Sequence, residues 1–250
     1  MREWIDYALV LRIGHFREND LWLKLLCRKR GLLTLFAFGG SKSKRRFCGC
    51  LDVLNSLRCR VRVSGRGNFL NLEEAVLEEG PRSLRSDWQR MGLASNCLRF
   101  VEALGVNEEN ADVAYALVEN LRSTLDADHD LPGLFPLFFR LSFSGAAGFA
   151  PNLGKCSLCG AEVVGPAQFL VDEGQLHCTN CRVSAGFSPY SVDLSASGLD
   201  LLRHVQQVLP SGWRTKDLSV ADRRACARAI DGFVQYHLGL RWEEGHFRRV

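Results

Sequence analysis

The stretch LRCRVRV, residues 57–63, decides how the first third of the chain is read. Leu57, Cys59, Val61 and Val63 alternate with Arg58, Arg60 and Arg62. Strict period two is the mark of a strand with one buried face and one solvent face. Here the outer face is basic. Toward the N terminus, residues 5–16, 21–28 and 32–38 are short β-rich runs, punctuated by Gly14, Asn19-Asp20, Gly31 and Gly39-Gly40. On the other side, residues 65–68 predict a turn and residues 69–77 a closing strand. Five strands within residues 1–80, with little helical pattern between them, predict a small closed barrel. The oligonucleotide-binding (OB) fold is the leading candidate.

The period changes after Pro81. Trp88, Met91, Ala94, Leu98, Val101 and Leu104 step by three and four, and Val113, Leu117, Leu121 and Leu125 step by four. Both patterns predict amphipathic helices. Residues 132–147 predict a more apolar, buried helix, and Leu199, Leu202, Val205 and Leu209 a fourth. Ser219, with Asp222 three residues on, caps a fifth, whose stripe is Cys226, Ile230, Phe233, His237 and Leu240. The fold class expected is therefore multidomain α+β. An N-terminal OB-fold β-barrel spans 1–80, and an α-helical domain spans 81–250 with an inserted four-cysteine zinc-ribbon at 153–185.

That insert holds CSLC at 156–159 and CTNC at 178–181. A Cys-x-x-Cys turn puts two sulfurs on one side of a tight knuckle, and two knuckles offer the tetrahedron of thiolates that zinc accepts. Gly160 and Gly174 suit the hairpin between them, and residues 169–172 read as a strand within it. Cys156, Cys159, Cys178 and Cys181 are the expected ligands of one Zn2+ ion per chain. An iron site with the same ligands and a redox dithiol pair are the other readings, and His177 is a competing ligand. Four thiolates leave no open position for water or substrate, so the ion is expected to be structural. The other six cysteines (27, 48, 50, 59, 97 and 226) read as small hydrophobes, with Cys48 and Cys50 on one side of a strand.

Catalytic motifs are absent. The sequence has no G-x-x-x-x-G-K-[ST], no strand-borne G-x-G-x-x-G, no H-E-x-x-H and no G-x-S-x-G. The zinc deaminase pattern lacks its H-x-E segment. The six histidines are scattered, and His237 reads as a satisfied core residue. Glu73-Glu74 and Glu78-Glu79 read as a solvated strand edge. No enzyme is expected. Residues 131–143 are the most apolar run, but they are too short to span a bilayer and carry Arg140, so no membrane partner is expected. The first residues show no signal-peptide pattern, which predicts a cytoplasmic protein.

Charge is unevenly spread. The whole chain carries only +4, yet residues 1–66 hold 15 Lys and Arg against 5 Asp and Glu. A basic end on a nearly neutral chain suggests a polyanion site. Its centre is GGSKSKRRF, residues 39–47, with Lys42, Lys44, Arg45 and Arg46 behind a flexible Gly-Gly. Arg28 and Arg30 precede the third strand, and Arg58, Arg60 and Arg62 share one face of the fourth. Trp22, Phe36, Phe38 and Phe47 are interleaved as candidates for stacking on bases. A DNA-binding and an RNA-binding barrel would share all of these features.

The order of these motifs resembles the bacterial RecO family of recombination mediators. In ALVLRIGHFRENDLWLKLLCRKRGLLTLFAFGGSKSKRRFCGCLDVL, residues 8–54, the family's pattern is an opening strand, Glu18-x-Asp20, a basic residue before Gly31 and a Gly-Lys/Arg-Ser-Lys/Arg cluster. FFRLSFSGAAGFAPNLGKCSLCG (138–160) and GQLHCTNCR (174–182) are similar to the family's zinc segment, and FVQYHLGLRW (233–242) to its closing helix. Phe16 departs from the family's Tyr. Some family members lack the four cysteines, which agrees with a structural metal. The resemblance implies binding of single- and double-stranded DNA and annealing of complementary strands. It also implies work with RecR and the single-stranded-DNA-binding protein, and help in loading recombinase onto coated strands in RecF-type DNA repair, in the nucleoid. It carries DNA binding onto Lys42, Lys44, Arg45 and Arg46. Arg58, Arg60 and Arg62 rest on the strand-face argument alone.

Overall fold

The structure is a computed structural model that describes residues 3–65, 69–127, 130–185, 189–213 and 218–250. Residues 66–68 of the expected turn lie outside the described residues. The chain divides into two compact units, Met1–Ala94 with Gly105–Ala127, and Ser95–Leu104 with Asp128–Val250.

The first unit is built on β1 (Glu3–His15), β2 (Leu21–Cys27), β3 (Gly31–Ala37), β4 (Ser56–Val63) and β5 (Leu70–Glu79). They close into a barrel in the order β1-β2-β3-β5-β4. All pairs are antiparallel except β3 with β5. Closure depends on β1, which pairs with β4 through residues 3–9 and with β2 through residues 8–15. A register shift between Val10 and Arg12 bends it from one partner to the other. The alternation read from sequence points Leu23, Leu25, Leu35, Leu57, Cys59, Val61 and Leu72 into one buried interior.

Two helices follow, α1 (Trp88–Leu104) and α2 (Ala111–Ala127). The first residues of α1 group with the barrel and residues 95–104 with the second unit. α2 packs on β1, β2 and β3. Leu9 and Leu26 are register partners on the outward side, yet both are fully buried. The neighbouring Ser56 hydroxyl meets Tyr115 of α2 at 2.9 Å. One end of this sheet face is thus roofed by a helix, and the other is open.

The second unit contains α3 (Phe135–Ala146), β6 (Ala167–Leu170), β7 (Gln175–Cys178), α4 (Thr179–Ala185), β8 (Ser191–Leu194), α5 (Ala196–Gln207), α6 (Val220–Leu238), β9 (Leu240–Glu243) and β10 (His246–Arg249). α3, α5 and α6 pack on one another and bury Phe138, Phe139, Leu199, Leu202, Cys226 and Ile230. Ser219 caps α6 by accepting the Asp222 amide. Gly239, at φ 61°, ends that helix, so Leu240 begins β9 and leaves the helical stripe expected for it. The imidazole of His237 meets the Val171 carbonyl at 2.8 Å and lies 4.5 Å from the Phe233 ring, the satisfied histidine the sequence predicts. β7, β6 and β8 form a small sheet in that order. Its first strand ends at Leu170, short of the expected 172, because Gly174 at φ 64° closes a turn. Among the described residues no helix is long and apolar enough to cross a membrane.

Candidate nucleic-acid interface and metal centre

The loop from Phe38 to Leu54 carries the dense basic cluster, and it is fastened at several points. The Asp20 carboxylate accepts the Gly39 amide at 2.7 Å. The Asn19 carbonyl accepts both the amide and the hydroxyl of Ser41 at 3.2 Å. Gly39 and Gly40 are therefore not a flexible hinge. Gly39 adopts φ 64°, and a Cβ on Gly40 would lie 2.9 Å from the Ala37 carbonyl, so both glycines are required by the turn. Further along, the Arg46 carbonyl accepts the Ala75 amide of β5 at 3.0 Å, and the Arg46 guanidinium donates to the Phe38 carbonyl. Phe47, expected as a base-stacking ring, instead plugs the barrel interior at 1% exposure. An anchor of that kind at one end and a carboxylate at the other frame a segment in which Lys42, Lys44 and Arg45 are exposed and Arg46 is half-buried.

The nine cations differ in how they are engaged. Lys44 and Arg45 have no carboxylate partner among the described residues. Lys42 lies 3.6 Å from Glu18, with both side chains largely exposed. The β4 arginines are different. Arg58 pairs with Glu78 at 3.5 Å, Arg60 with Glu3 and Glu74 at 2.9 Å each, and Arg62 with Glu73 at 2.5 Å. β5 shifts register beside Glu73 and again beside Glu78, and such bulges re-aim the side chains that pair with Arg62 and Arg58. The expected basic face of β4 is a neutralised ladder. The glutamates read as a solvated edge are its counter-charges, and Glu79 pairs in turn with Arg122 at 2.6 Å. Arg28 and Arg30 likewise meet Asp112 at 2.6 Å and Glu108 at 3.5 Å. Arg30 also covers the Trp4 ring at 4.7 Å.

Cys48 and Cys50 lie in the same loop, not on a strand. Cys48 is exposed at φ 44°, and its thiol faces the Lys44 carbonyl at 3.1 Å. Cys50 is buried, and burial pushes its thiol up to about 11. Of these two, only Cys50 is the small hydrophobe expected. The aromatics also redistribute. Trp22 and Phe36 are cross-strand partners on the outer face, and Phe38 follows at the end of β3. Phe16 and Phe69 join them, though the sequence did not single them out as stacking rings. The available signal was their position just beyond the ends of strands, where alternation no longer assigns a face.

In the second unit, the sulfurs of Cys156, Cys159, Cys178 and Cys181 all lie within 4.8 Å of one another. Four thiolates around zinc at about 2.3 Å would stand about 3.8 Å apart, and the sulfurs of Cys159 and Cys178 are 4.0 Å apart. The first knuckle is a tight turn, with the Gly160 amide on the Cys156 carbonyl at 2.9 Å and Gly160 at φ 72°. The second runs from the end of β7 into the first turn of α4. Burial raises the Cys156 thiol, but the amides of Cys178, Cys159 and Leu158 outweigh it and hold the thiol down at about 6. Hydrogen bonds with the sulfurs of Cys159 and Cys178 push Cys181 up to about 12. Sulfurs packed this closely resist full ionisation without a cation between them, and a divalent ion removes that obstacle while releasing protons. The donor set fits a metal ion. His177 is buried and outside the cluster.

These features define an α+β protein of two compact units, one built on a closed barrel with an exposed cationic loop, the other largely helical with a four-cysteine cluster that could hold a metal ion. The chain matches Recombination protein O N terminal over residues 1–80 and Recombination protein O C terminal over residues 85–244. It is 46% identical to the DNA repair protein RecO of Nitratidesulfovibrio vulgaris, over 99% of this chain and 100% of that one. It is 42% identical to the protein of the same name from Oleidesulfovibrio alaskensis and 37% identical to that from Lawsonia intracellularis, each over 99% of this chain and 100% of the relative. The chain belongs to the RecO family, and this membership supports a role in DNA repair.

Proposed function

We propose that the chain is a non-catalytic DNA-binding mediator that anneals complementary strands. It would also help load recombinase onto single strands coated by the single-stranded-DNA-binding protein, in RecF-type repair. The observation that carries this reading is the fastened loop with Lys42, Lys44 and Arg45 exposed, beside a half-buried Arg46 whose guanidinium donates to the Phe38 carbonyl. A loop already held in place loses little conformational freedom when it binds. Its cations release counterions from any phosphate backbone, whatever the sequence. Two strands brought together repel through their phosphates, and cations that neutralise them lower the cost of pairing.

The strand order β1-β2-β3-β5-β4 supports the OB reading of the barrel. Residues 1–80 are the proposed DNA-binding domain, and residues 81–250 the helical domain with a zinc-ribbon insert at 153–185. Cys156, Cys159, Cys178 and Cys181 would hold one Zn2+ ion, which crosslinks the two knuckles and leaves no position for a reacting water. RecR and the single-stranded-DNA-binding protein are the proposed protein partners, following the family resemblance, and the proposed location is the cytoplasm, at the nucleoid.

Strand annealing with and without the single-stranded-DNA-binding protein tests the reading. Replacing Lys42, Lys44, Arg45 and Arg46 by Ala should slow annealing and flatten the salt dependence of binding by about 3 in log–log slope, at roughly 0.7–0.9 per phosphate contact. Unchanged binding would sink the assignment of the loop. Competition between matched DNA and RNA strands decides against the RNA-binding alternative.

A further inference from the structure

Five aromatic rings gather at the open end of the β1–β2–β3 face. Trp22 stands opposite Gly14 on one side and Phe36 on the other. A Cβ on Gly14 would fall 2.5 Å from the indole, so the ring lies flat over the glycine. Phe36 meets Phe16 at 5.2 Å and Phe69 at 5.8 Å, and Phe16 meets Phe38 at 5.9 Å. Each of these contacts is edge to face, at 79–80°. In each such pair the edge of one ring rests against a face of the other, and Phe38 and Phe69, with one such contact each, keep a face clear of their ring neighbour. Phe16, Phe38 and Phe69 are 38%, 45% and 58% exposed. A contiguous apolar patch of this kind marks an interaction surface. Its surroundings are cationic: Arg17 lies 5.8 Å from the Phe16 ring, Arg12 lies 5.5 Å from Trp22, and Arg46 donates to the Phe38 carbonyl. The cluster therefore adjoins the basic loop.

We propose that this cluster is a stacking platform for unpaired bases, so that the barrel distinguishes single strands from duplex. The proposal rests on the nucleic-acid reading of the loop and deepens it. Phosphates are common to both forms of DNA, and the loop cations attract both. Base faces are open only in a single strand, because a duplex hides them in its own stack. Stacking on aromatic rings is tolerant of sequence, since every base has a π-face. The cationic surroundings favour a polyanion over an apolar protein segment as the occupant.

The test compares a labelled single strand, its duplex and an abasic strand with the same number of phosphates. The wild-type chain should bind the abasic strand roughly 10- to 100-fold more weakly than the normal strand, while the Phe38→Ala/Phe69→Ala variant should lose that factor on the normal strand and nothing further on the abasic one. Duplex affinity should stay within about twofold, because phosphate contacts are untouched. Phe38→Tyr/Phe69→Tyr should restore single-strand binding, and Phe38→Leu/Phe69→Leu should not. Equal binding of normal and abasic strands by the wild-type chain overturns the proposal without any variant having to fold. So does rescue by leucine, which would identify an apolar docking surface. The quadruple loop variant, measured on duplex alongside, isolates the underlying reading: full duplex affinity there refutes the loop and leaves the abasic comparison to judge the platform.

Discussion

Two cationic regions of one barrel are wired in opposite ways. On β4, three arginines alternate regularly along a strand, and glutamates of β1 and β5 neutralise each of them. In the loop after β3, the cations are irregularly spaced, and Lys44 and Arg45 have no carboxylate partner among the described residues. The same residue types serve as mortar in the first place and as an exposed charge in the second. Charge counted along a sequence measures supply; only the folded arrangement shows how much is left for a ligand.

The comparison can be broken most directly by removing each set in turn. The Lys42, Lys44, Arg45 and Arg46 to Ala variant should lose on the order of 100- to 1,000-fold in DNA affinity at low salt, because several phosphate contacts go together. Fluorescence anisotropy across a salt series reads this. Next in size is Asp20→Ala. It frees the Gly39 amide and lets the loop wander, so affinity should fall about three- to tenfold with an unchanged salt slope, since the cations remain. A changed slope would mean that Asp20 acts on charge and not on loop position. Arg58→Gln/Arg60→Gln/Arg62→Gln should cost less than about threefold in affinity. It should lower the melting temperature by a few degrees, because Glu3, Glu73, Glu74 and Glu78 are left without their counter-charges. A loss equal to that of the loop variant would erase the distinction. The smallest effect on DNA should follow metal removal. Metal analysis should find about one zinc per chain, and a chelator should release it, loosen the 153–185 segment and leave the barrel's affinity unchanged.

Much of the barrel could be read in advance because its strands obey a period-two pattern. The runs at 21–28, 32–38 and 57–63 match observed strands to within a residue or two at each end. The thiolate site was legible for a similar reason, since two Cys-x-x-Cys turns define their own local geometry. What escaped is long-range. Phe16 and Phe69 are 53 residues apart and meet Phe36 only because the barrel closes. The β4 ladder depends on two bulges in β5, and a bulge leaves no trace in alternation that both strands otherwise keep. Cys48 looked like a strand residue because its neighbours are apolar, but the chain there is a loop fastened by Phe47 and Ala75.

Gly14 shows how a surface can be defined by missing atoms. Alanine is not a worse strand residue than glycine, so by local rules the exchange should be harmless or mildly helpful. Yet one methyl group, 2.5 Å from the Trp22 indole, would have to displace the ring from its seat. Residue 14 touches no ligand in any reading given above and carries no side chain to contribute. It acts as a mould, and its effect would surface as a tilted chromophore whose fluorescence shifts while the circular dichroism of the barrel stays the same.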